Sequence, residues 1–166
     1  QSRGTTATLS MSKRVLQESR VLLEHSADGR VRLRHVSSGD VPESVAEEST
    51  LSNDGWRGAA AQVRELERDA LLAGVALGQM QRYLALCEQS ELPVEVYHDD
   101  ARARFVSTES GAENAEVYLR PRLRFACEDS PLKRAAAIRL LNQAASSALW
   151  YDAPRVPVQV DPDIEF

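Results

Sequence analysis

The chain has little cysteine, little lysine and no long apolar run, and each shortage excludes something. Two cysteines in 166 residues, Cys87 and Cys127, lack metal-ligand spacing and are too few for a disulfide scaffold. A reduced, cytoplasmic protein is therefore expected. No apolar stretch approaches the roughly 18 residues of a membrane span, so no membrane partner is expected. The N-terminus has no basic-then-apolar order of a signal peptide, and Gln1 in place of Met reads as a trimmed start. Lysine occurs only at positions 13 and 133; the arginine-dominated basic set is that of a GC-rich bacterial coding sequence. A net charge of −5 gives no broad basic footprint for a phosphate backbone, so nucleic acid is not an expected partner. There is no Walker loop, no dinucleotide glycine fingerprint and no Ser-His-Asp order. No cofactor is expected.

What is present reads as one α+β domain. Residues 5–36 look β-rich, with Val21 and Leu23, then Val31, Leu33 and His35, at period two around Asp28-Gly29. Asp-Gly between alternating runs is a hairpin signal, because glycine accepts the positive φ of a tight turn. Residues 37–55 are polar and acidic and read as a long loop. A helical pattern covers 56–90. Its first half is charged and amphipathic; in the second, Ala73, Leu77, Met80, Leu84 and Cys87 form an apolar stripe widened by Val75, Ala76 and Tyr83. Ala70, Gly74 and Gly78 line another stripe at four-residue spacing. Interior glycines cost helix stability, about 1 kcal/mol each against alanine, so a close backbone approach is expected there.

Residues 92–127 read as strands. Val94 and Val96 alternate with Glu95 and Tyr97, and His98-Asp99-Asp100 is expected to turn the chain before Arg102 and Arg104. Val117, Leu119, Leu123 and Phe125 share one face, and Arg120, Arg122 and Arg124 the other. Pro121 cannot donate to a ladder, which predicts an edge or bulged position. A helix is expected over 130–149, opened by Ser130 as N-cap and Pro131. Leu132, Ala135, Ile138, Leu141 and Ala145 would form its apolar face. A last strand is expected over 155–160.

Few residues carry chemistry. Cys87 sits near a helix C-terminus, where the dipole opposes a thiolate; Cys127 precedes Glu128 and Asp129, which oppose one too. Three consecutive ligand types at 98–100 do not converge on one ion, and no metal site is expected. His25 and His35 flank the hairpin with no nucleophile beside them in sequence. Trp56 and Trp150 read as packing residues. The arginines at 120, 122 and 124 read as a solvated strand face neutralised by acids such as Glu95; the functional alternative is an anion or partner contact.

Two segments carry a resemblance. ALLAGVALGQMQRYLALCEQSELPVEV is a small-residue helix leading through a proline joint into a strand. SPLKRAAAIRLLNQAASSALWYDAPRVPVQV is a Ser-Pro-started helix running into a final strand. In this order they resemble the OsmC/Ohr family, bacterial proteins associated with organic hydroperoxide resistance and oxidative stress. The resemblance implies antiparallel sheets around a long central helix, a second helix, and an intertwined homodimer. It also implies a peroxiredoxin-like mechanism in which a helical cysteine attacks the peroxide and a second resolves the sulfenic acid. Counting back from the two strand motifs puts those positions at Gly78 and Ser147, and neither is cysteine. The expectation is an OsmC-like protein without the two-cysteine reaction, binding a small apolar ligand near Gly78, Tyr83, Ser147 and Trp150. The alternatives are a thiol peroxidase working through Cys87 or Cys127, and an adaptor that docks partners on Arg120, Arg122 and Arg124.

Overall fold

Strand β1 (Arg14–His25) turns back into β2 (Val31–His35), as Asp28-Gly29 predicts. The turn spans five residues: Gly29 takes φ 83°, and Asp28 Oδ1 accepts the Arg30 N–H at 3.1 Å. These elements come from a computed structural model of the chain, which describes residues 13–36, 53–146 and 156–166.

The third strand, β3 (Val94–Ser107), pairs antiparallel with β1 and runs unbroken through His98–Asp100. The expected turn there does not exist. The three residues simply alternate: Asp99 points inward and is buried, while His98 is exposed on the outer face and Asp100 clamps Arg20 on that face.

After a turn at Gly111 (φ 80°), β4 (Glu113–Leu119) and β5 (Pro121–Phe125) return along β3. Arg102 faces Tyr118 and Asp99 faces Pro121, so the two strands form one antiparallel rail, interrupted at Arg120 and shifted in register between Val94 and Val96. Pro121 opens β5 inside the sheet, not at its edge; the first strand position spares the missing N–H. The chain ends in β6 (Val158–Val160) and β7 (Asp163–Glu165), parallel to β4 and β5 respectively. β7 was not expected. The result is one seven-stranded sheet, mixed rather than wholly antiparallel.

Both helices cover one face of this sheet. Helix α1 (Asn53–Gln89) begins earlier than its apolar pattern, and α2 spans Pro131–Ser146. Against the sheet and α2, α1 buries Leu72, Val75, Ala76, Met80, Tyr83 and Cys87. The buried stripe is thus rotated from the expected one, leaving Ala73, Leu77 and Leu84 half-buried. Three polar ties fix α1 to the sheet. Ser19 Oγ donates to Asp69 Oδ1 at 2.6 Å, Arg68 grips Glu113 at 2.6 and 3.2 Å, and Gln17 bonds to both Asp69 and Arg68.

Ser130 caps α2 as predicted, its Oγ accepting the Lys133 N–H at 3.1 Å. The buried face is different. Leu132 is 81% exposed and Ile138 46%, with Ala135 exposed beside them, while Ala137, Leu140, Leu141 and Ala144 are buried. The reason lies across the seam. Tyr83 Oη donates to the Ala137 carbonyl at 3.0 Å, Gln79 Nε2 to Leu141 at 3.2 Å, and Arg82 Nε to Ala144 at 3.0 Å. Those three bonds set the rotation of α2. Removing the buried Tyr83 hydroxyl in Tyr83→Phe is expected to cost about 1 kcal/mol, read as a lower urea midpoint with unchanged slope.

Candidate functional site

The seam between α1 and α2 is where sequence reasoning placed a ligand. Tyr83 is fully buried, its ring centroid 6.2 Å from that of Tyr97 on β3. Burial, reinforced by the neighbouring Cys87, raises its hydroxyl well above the usual range. Ser147 and Trp150 lie outside the described residues.

Gly78 is half-buried on the same helix, and among the described residues the three atoms nearest to a Cβ built there belong to a side chain, not to another backbone. That Cβ would stand 3.0 Å from Arg82 Nη1. The guanidinium folds back over the glycine one turn earlier and reaches the last described turn of α2 through Ala144. Burial lowers the Arg82 pKa, and no carboxylate within ion-pair distance offsets this among the described residues. Arg82 and Gln79 were missed from sequence. Polar residues in a greasy helix were the available signal, since buried polar groups need partners.

Cys87 lies on the same helix as Gly78 and Tyr83. Cys87 is buried, and desolvation pushes its thiol up to about 11, while contact with Tyr83 pulls weakly the other way. A thiol held there is almost wholly protonated near neutrality. Cys127 is half-buried against the core, and both cysteines are free. Among the described residues, no three His, Cys, Asp or Glu side chains are grouped to hold a metal ion, and no helix is long and apolar enough to cross a membrane.

The sheet wall adds a buried carboxyl, Asp99, that the sequence reading assigned to a turn. Asp99 Oδ1 accepts the Arg120 N–H at 2.9 Å, at the break between β4 and β5. Its Oδ2 and the Tyr97 hydroxyl are buried with no hydrogen-bond partner among the described residues. Desolvation raises the Asp99 carboxyl to about 7, against a smaller opposing effect of that backbone hydrogen bond.

Arg120, Arg122 and Arg124 project from the opposite, open face. Each meets one acid: Asp161 at 3.9 Å, Asp163 at 3.7 Å and Glu95 at 3.6 Å. All six side chains are about half exposed or more, so these pairs contribute little.

No family model matches the chain, and no curated protein does. Among solved structures, the fold resembles an OsmC-like protein of unknown function from Vibrio cholerae O1 biovar eltor, with a TM-score of 0.51 and 17% identity. The match covers 92% of this chain and 98% of the other. The fold is OsmC-like.

Asp99 makes stability depend on pH. Its folded pKa of about 7 lies above the ordinary 3.8, so the carboxyl favours folding only while protonated. That contribution is complete below about pH 3.8 and is lost as pH rises through 7. Asp99→Asn keeps an acceptor for Arg120 and has no charge to bury. It is expected to be more stable than wild type at pH 8 by a few kcal/mol, about 4 at most, with the gap closing toward pH 4 in urea titrations.

Proposed function

We propose that this chain is an OsmC-like protein related to the organic-hydroperoxide-resistance group, acts as a homodimer, and lacks the two-cysteine peroxidase reaction. In its place, a small, partly apolar ligand binds along the α1–α2 seam, at Gly78, Tyr83, Ser147 and Trp150. The observation that carries this reading is the Arg82 guanidinium, whose Nη1 lies 3.0 Å from where a Cβ at position 78 would stand, so that a cation crowds that position. The protonated, buried Cys87 supports it from a second direction. Bare apolar side chains on the first half of α1, Val63 at 53% and Leu66 at 66% exposure, support a second copy as partner.

With tert-butyl hydroperoxide and a dithiol reductant, wild type is expected to turn over no faster than the Cys87→Ser/Cys127→Ser double variant. Dithiol-dependent turnover that disappears in either single variant would instead establish the thiol-peroxidase reading. Light scattering is expected to give twice the chain mass for wild type and a monomer for Leu66→Glu. A monomeric wild type would remove the homodimer from the proposal.

A further inference from the structure

The open face of the sheet carries arginines beyond those paired with Asp161, Asp163 and Glu95. One row of side chains crosses all its rails: Val36, Arg20, Arg102, Tyr118 and Gln159 lie side by side through successive strand registers. Arg20 stands directly opposite Arg102, and like charges so placed repel. Asp100, one row away, relieves this from a single side. It takes Arg20 in a two-pronged clamp at 2.8 and 2.9 Å and reaches Arg102 at 3.4 Å.

On the other side of the row stands Arg104, facing Glu18 and Glu116 in register. Glu116 is drawn away to Lys13 at 3.3 Å and accepts the Tyr118 hydroxyl at 3.3 Å. Among the described residues, no carboxylate forms an ion pair with Arg104. Arg20, Arg102, Arg104 and Tyr118 line a cavity of about 570 Å³, with Glu18 as its one acid among the described residues. Tyr118 is 37% exposed and has Arg102 directly across the ladder.

We propose that this cavity binds a nucleoside monophosphate or a similarly planar phosphorylated small molecule. Arginine forks match a phosphate in geometry and charge, and an anion between Arg102 and Arg104 answers the uncompensated side of the row. A tyrosine ring beside a guanidinium stacks a planar group. The volume lies in the range of small-ligand sites, about 300–1,000 Å³. A polyanionic strand does not fit, because the neighbouring arginine rail is matched one for one by Asp161, Asp163 and Glu95. The site is independent of the α1–α2 seam, which lies on the other face.

Isothermal titration calorimetry of the full chain with adenosine monophosphate tests the assignment, with adenosine and inorganic phosphate as its two halves. Saturable binding near millimolar or tighter is expected, with both halves weaker and affinity falling as salt rises. Arg102→Ala and Arg104→Ala should each weaken binding about tenfold or more, with circular dichroism unchanged. Arg122→Ala, on the same face but paired with Asp163, should leave it unaltered. Absence of saturation in wild type overturns the site, as does an equal loss in Arg122→Ala. Phosphate binding as tightly as the nucleotide overturns the role of Tyr118.

Discussion

Three α1 side chains reaching the carbonyls of α2 are the constraint on which the rest of the molecule turns. Gln79, Arg82 and Tyr83 are too polar to be buried unpaired, and the sheet face beneath offers apolar side chains at most positions. Their partners are the carbonyls of Leu141, Ala144 and Ala137. Once those bonds form, α2 rolls so that its alanines meet α1 and Leu132 and Ile138 face outward. The same bond to Ala144 draws the Arg82 guanidinium back across Gly78. A side chain there would need that guanidinium, four residues away on the same helix, to give by a few tenths of an ångström, so the seam is crowded by a cation at Gly78.

The sheet solves a related problem at Arg120. β4 and β5 follow one register against β3, but Pro121 has no N–H and the ladder breaks beside it. Asp99 fills the break by accepting the Arg120 N–H, which places a carboxylate on the buried face. The cost appears as a carboxyl that ionises only near neutrality. Continuity of a long rail and a strained acid in the core therefore have one origin.

The two faces of the sheet separate two kinds of chemistry. Inward residues meet helices, and what polar groups they have are tied to a helix side chain, tied to backbone or left buried. Outward residues form a lattice of charges in which position along the rail decides pairing. Arg120, Arg122 and Arg124 fall beside the returning C-terminal segment or β3 and find acids. Arg102 and Arg104 lie toward the other end of the hairpin, where Asp100 is shared and Glu116 is drawn to Lys13. Identical residue types on one face of the sheet thus become different sites.

Local pattern alone determined much of this protein. The Asp28-Gly29 turn, the Ser130 cap, the inward set Val117, Leu119, Leu123 and Phe125, and the α+β order all follow from short-range backbone and solvation preferences. So does the burial of Cys87, since a thiol on the apolar stripe of a helix is desolvated wherever that helix packs. Tertiary structure decided the rest. His98–Asp100 has turn composition, yet hydrogen bonds on both edges hold it extended, and those partners lie in other strands. The faces of α1 and α2 depended on which polar groups could meet across the seam, a pairing between residues about sixty positions apart. Periodicity reports how much of a helix is apolar; only a partner with its own donors and acceptors selects which side is buried.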